Sequence, residues 1–154
     1  MRSILLAGLL VAGCGTGPLE ISSSPLSGFV GGMAWSFGSA ESSGALSLSD
    51  QFFVEAYADV VAPCTGAGDQ VRTNRLILNV PKATGDYLLG SGLSETFLVQ
   101  DTDTAGTTAT NYIATQGHIV VNQVTATMVS AGAHFLFDGN NDVNGQFQAQ
   151  ICPP

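Results

Sequence analysis

Positive charge is what this chain has least of: four Lys and Arg stand against twelve Asp and Glu among 154 residues. A protein so poor in cations lacks the electrostatic footprint for phosphate backbones or anionic lipid headgroups, which excludes nucleic acid as a partner. Charge of either sign is scarce, at 10% of residues. The polar remainder is Ser, Thr, Asn, Gln and Gly. Helical cytosolic domains expose Lys and Glu, so this composition points instead to extracellular β proteins, whose outward strand positions are often Thr, Ser and Asn. The apolar content, 45%, is too high for intrinsic disorder. No apolar run reaches the roughly 20 residues of a membrane-spanning helix, and no internal repeat is present.

Histidine is nearly as rare. His118 and His134 are the only imidazoles, and on separate predicted strands they fall short of the three or four ligands a zinc site needs. Each is expected to be a half-exposed strand residue. Serine is abundant, but no Gly-x-Ser-x-Gly elbow or Ser-x-x-Lys pair accompanies it, and nothing selects a pair of carboxylates. The chain is therefore expected not to be an enzyme and to need no cofactor. The pair Gly31-Gly32 and the glycines of residues 85–92 follow no strand-to-helix transition, so they are not phosphate cradles. The single tryptophan, Trp35, alternates with Met33 and Phe37, which assigns it to a core rather than to a sugar-stacking platform.

What is present begins at the N-terminus. Arg2 precedes an apolar run over residues 4–11, and the small pair Ala12-Gly13 leads into Cys14. A charged start, a short apolar core and small residues at a cleavage site make a secretory signal. With Cys14 directly after the small pair, the segment resembles the lipobox of bacterial lipoproteins. That resemblance implies a signal peptide over residues 1–13, cut before Cys14. The Cys14 thiol would be diacylated, with palmitate-like chains, and the new amine usually acylated. Two or three such chains hold a protein stably at a membrane where one does not. Gly15 follows the cysteine; in the lipoproteins this resembles, an Asp there tends to retain the protein at the inner membrane, so the outer membrane is expected.

Removing residues 1–13 leaves 141 residues with three basic and twelve acidic side chains, a net charge of −9. That length suits one domain with a modest core. With Cys14 carrying lipid, Cys64 and Cys152 remain as one pair for an oxidising compartment, and a structural disulfide is expected. Residues 14–27, rich in Gly, Ser and Pro, read as the acylated cysteine and a flexible tether.

Residues 28–154 read as short strands with turn punctuation, a single all-β domain. Met33, Trp35 and Phe37 define one strand face, and Leu46 and Leu48 continue the pattern. Residues 51–61 fit a strand better than a helix because they are aromatic and lack Leu, Lys and Arg. In the last third, Phe135 and Phe137 share one face, and Phe147, Ala149 and Ile151 alternate with Gln146, Gln148 and Gln150. This up-and-down meander predicts an antiparallel β-sandwich or a small up-and-down β-barrel. Gly31-x-x-Ala34-Trp35 and Val143-x-Gly145-x-Phe147-x-Ala149-x-Ile151-Cys152 also resemble segments of uncharacterised small all-β envelope lipoproteins, a likeness that implies fold and location alone.

Asn140, Asp142, Asn144 and Gly145 mimic positions 1, 3, 5 and 6 of a calcium loop, which makes the first three weak metal candidates. The twelfth position is Ile151, where such a loop needs a bidentate Glu, and Asp, Asn and Gly are also what tight β-turns demand. Asp101-Thr102-Asp103 is a shorter echo. The function expected from all this is a membrane-anchored, non-catalytic structural or interaction module of the bacterial cell envelope, with an envelope protein as partner. The alternative is a carrier that holds a small hydrophobic ligand in a β-barrel pocket.

Overall fold

The computed structural model describes residues 17–66, 74–93, 96–101 and 109–153. The signal segment and Cys14 lie outside the described residues, as does most of the Asp101–Thr110 connector. Twelve strands and no helix form the described chain: β1 (Ser27–Val30), β2 (Met33–Ser36), β3 (Ser39–Ser43), β4 (Gln51–Tyr57), β5 (Arg75–Pro81), β6 (Gly85–Leu89), β7 (Gly92–Leu93), β8 (Phe97–Asp101), β9 (Ala109–Ile113), β10 (Gln116–Val124), β11 (Met128–Asp138) and β12 (Asn141–Ile151). The all-β reading holds, and residues 51–57 are a strand.

All twelve strands belong to one sheet, in the order β7-β6-β10-β11-β12-β3-β4-β5-β8-β9, with the β1–β2 hairpin attached to β12. The sheet is open, since β7 and β9 end the hydrogen-bonded path. It is also curled: β5 touches β10 and β7, and β9 touches β11, although these strands are far apart in the order. Most neighbours are antiparallel, as alternation and short turns require. Two short ladders are parallel, β6–β7 and β12–β3, which the expected meander did not contain.

Strand β12 is where the two halves of the sheet meet. One of its edges pairs with β11 along almost its whole length. The other edge is divided: β1 occupies Asp142 to Asn144, and β3 pairs only with Gln150 and Ile151. The disulfide between Cys64 and Cys152 lies beside this narrow junction, tying the loop after β4 to the end of β12 with Cα atoms 5.3 Å apart.

Inward positions recur with period two, as sheet geometry dictates. Ala131, Ala133, Phe135 and Phe137 of β11 and Val143, Phe147 and Ala149 of β12 are buried, and they join Val54, Leu76, Leu78, Ile119 and Trp35 in one core. The Trp35 indole N–H donates to the Asn74 carbonyl at 3.2 Å, so its one polar atom is satisfied inside. Met33, near the start of the same edge strand, is by contrast 62% exposed, and Phe37 packs on the core from outside any strand. Leu46 and Leu48 lie in the β3–β4 connection rather than in a strand, and both are more than half exposed. The two-residue turn Gly31-Gly32 has φ of +63° and +72°, the conformation that a tight hairpin needs at both positions and that glycine supplies without strain.

Candidate functional site: the strapped face of the sheet

The segment expected to be a free tether is not free over residues 19–26. It runs as an extended strap across the face of β10, β11 and β12 opposite the core. The sheet register places His118 opposite His134, and His134 opposite Asn144. These three side chains therefore form one outward row across three adjacent strands, and Gln146 stands two residues beyond Asn144 on the same face.

Each of the four grips the strap by its backbone. His118 Nδ1 meets the Leu19 carbonyl at 2.6 Å, and His134 Nδ1 meets the Glu20 carbonyl at 2.7 Å. Asn144 uses both ends of its amide: Nδ2 donates to Glu20 O at 3.1 Å, and Oδ1 accepts from Ser22 N at 2.8 Å. Gln146 Nε2 donates to Ser22 O at 2.8 Å. The main chain of Gln146 then completes the grip, its N–H donating to Ser24 O and its carbonyl accepting from Leu26 N, each at 2.8 Å. Leu26 turns into the core and is fully buried, so the strap ends on a residue that does not leave.

One side chain of the strap is also read. A Cβ built on Gly132 of β11 would lie 2.8 Å from Ile21 Cγ2 and 2.5 Å from Gln146 Nε2. Gly132 is thus a seat: the missing side chain leaves the hollow that Ile21 fills. At Gly145 the strap comes closest to the sheet, where a Cβ would meet the Pro25 and Ser24 carbonyls at 2.6 Å and φ is +144°.

His118 was expected to be half exposed; it is 7% exposed. Its second nitrogen, Nε2, lies 2.8 Å from Asp86 Oδ1 on β6. A neutral imidazole donates to one of its two facing acceptors at a time, whereas the doubly protonated ring donates to both. His118 and His134 are brought side by side, but each spends a nitrogen on the strap. The sequence carried a signal for this site that composition alone did not reveal. A glycine inside a strand marks a close approach by another backbone, and Gly132 lies two residues from His134 and opposite Gln146, beside long polar side chains where Ser and Thr would suffice for solubility.

The three calcium candidates, Asn140, Asp142 and Asn144, lie in and just after the turn between β11 and β12. Asn144 gives its amide to the strap. Asn140 and Asp142 border an open cleft of about 750 Å³ with Phe29, Gly32, Tyr112 and Asp138. The structural carboxylate of that turn is Asp138: Asn140 N–H donates to its Oδ1 at 2.8 Å, and Asn141 Nδ2 donates to both oxygens at 2.9 and 3.0 Å. Asn141 Oδ1 in turn accepts from Gly32 N at 3.1 Å, joining the two hairpin turns.

The Asn140 N–H, and then the Asn141 amide, hold the Asp138 carboxyl below its ordinary range. A depressed folded value means that this contribution to stability is present above the ordinary Asp range and is lost as pH falls through the folded value. An NMR titration is expected to give Asp138 a midpoint below that of a free Asp side chain, and Asn141→Ala should move it upward. A midpoint that ignores the substitution would contradict this account of the turn.

Near the disulfide, Glu41 accepts a hydrogen bond from Cys64 N–H, and Cys152 Sγ lies 3.8 Å from the same carboxylate oxygen. These three residues cluster closely enough to hold an ion. With the sulfurs bonded to each other, however, the cluster offers a metal one carboxylate only. The chain matches no family model, no curated protein and no solved structure.

Proposed function

We propose that this chain is a lipid-anchored, non-catalytic interaction module of a bacterial cell envelope, held through acyl chains on Cys14 and facing the periplasm or the cell surface. The observation that carries the reading is the Cys64–Cys152 disulfide in an all-β domain. Such a bond belongs to an oxidising compartment, which is where a chain beginning with the lipobox-like segment would be delivered. We read the curled sheet as a barrel left open between β7 and β9. Its interior is occupied by Trp35, Phe135, Phe137 and Phe147. A filled interior favours a surface that binds a partner over an enclosed pocket that carries a hydrophobic molecule.

Native mass spectrometry of the protein extracted gently from its own membrane tests this. A mass starting at Cys14 with acyl chains attached, two hydrogens short for the disulfide, and accompanied by a second protein is the expected result. An unacylated mass starting elsewhere would overturn the anchor. A bound small molecule in place of a protein would favour the carrier.

A further inference from the structure

We infer that the outer face of β10–β12 is a binding groove for an extended polypeptide of a partner protein, with residues 19–24 as its intramolecular occupant. This rests on the interaction-module reading and names the class of partner. The strap itself shows what the groove accepts. Its contacts with His118, His134, Asn144 and Gln146 all end on strap backbone atoms, at Leu19 O, Glu20 O, Ser22 N and Ser22 O. Recognition of that kind fixes an extended backbone and tolerates many sequences, while one pocket for an alternate side chain supplies selectivity.

That pocket is the hollow over Gly132, which Ile21 fills. The groove therefore selects a branched aliphatic residue at one position and a free N–H at the next, where Ser22 N donates to Asn144 Oδ1. Of residues 19–26, Leu26 alone belongs to the buried core. Being tethered, it holds the groove at the high effective concentration of an intramolecular ligand. A partner segment then enters only by displacing it, so the strap sets the threshold for binding.

The test uses the purified full chain in detergent and a labelled synthetic peptide of the strap sequence, residues 17–24. Its outcome is independent of whether acyl chains or an envelope partner are found by mass spectrometry. Ile21→Gly with Ser22→Pro weakens the strap without touching the groove. The peptide is expected to bind this variant at least tenfold more tightly than the wild-type chain. Adding Gly132→Val, which fills the hollow, should abolish that gain, and a peptide with Gly in place of its Ile should lose at least tenfold. Exchanging the peptide's Glu for Gln should change binding less than threefold.

Equal binding to wild type and variant, or indifference to Gly132→Val, would overturn the groove. Concentration-dependent dimerisation of the wild-type chain through exchanged straps would assign the groove to a second copy and overturn the partner. Hydrogen exchange on the wild type guards against a variant that fails to fold. Ser22 N–H must exchange through local opening, at least tenfold faster than the core amides of β11; exchange only with global unfolding would mean the strap never vacates, and would also overturn the proposal.

Discussion

Replacing Cys152 by Ser is expected to cost the domain about 4–5 kcal/mol, because the loop that the bond closes is long. Cys64 and Cys152 are 88 residues apart in sequence, and everything from β5 to β12 lies between them. Untying so long a loop releases much of the unfolded chain's freedom, which is the main cost on the chain-entropy account. For a domain of this size the melting temperature should fall on the order of 10–20 °C. Thermal unfolding with and without reductant, and of the Cys64→Ser, Cys152→Ser double variant, checks this. All three losses should agree. A drop confined to a degree or two would show that the bond merely keeps the end of β12 from fraying.

Phe135→Ala is expected to cost about 3–5 kcal/mol, the range for removing a large aromatic from a core that cannot close around the void. Phe135 is fully buried on β11. Its ring lies against Gly117 of β10, the residue paired with it: a Cβ on Gly117 would come within 2.4 Å of ring atoms Cδ1 and Cε1. The glycine exists to admit the ring. Gly117→Ala should therefore destabilise too, by about 1–3 kcal/mol through overpacking. The two changes act on one space, so they should not add. The double variant is expected to be more stable than the sum of the single losses predicts, since the ring that clashes with the new methyl is gone. Urea unfolding of the four proteins gives the coupling directly, and strict additivity would contradict the contact.

The strand periods were legible because burial on one face writes itself into alternate residues. Phe147, Ala149 and Ile151 against three glutamines could be read in no other way, and the strand at residues 51–57 followed from aromatics without helix formers. The cysteine pairing was legible by count. The strap was not, because its recognition is by backbone: Leu19, Glu20, Ser22 and Ser24 are held through atoms that every residue possesses, and their side chains look like those of any linker. The parallel pairing of β3 with β12 was hidden for a related reason. It joins residues 109 positions apart, Glu41 and Gln150, and no local pattern encodes which edge a strand will find. Met33, Leu46 and Leu48 misled for the opposite reason, being apolar residues at a sheet margin or in a connection that leaves them more than half exposed.

The narrow junction at β12 has a kinetic meaning. On one side of it, β10, β11 and β12 follow one another as hairpins; on the other, β3, β4 and β5 pair in the order they are made. Each half can assemble from contacts near in sequence. Joining them through the sheet requires closing loops of about a hundred residues for the short β1 and β3 ladders on β12, and loop-closure entropy must be overcome before such contacts reward it. The docking of the halves is then expected to be the late, slow event of folding. Cys64 and Cys152 meet only when it is done, so the formation of their bond times the completion of the fold.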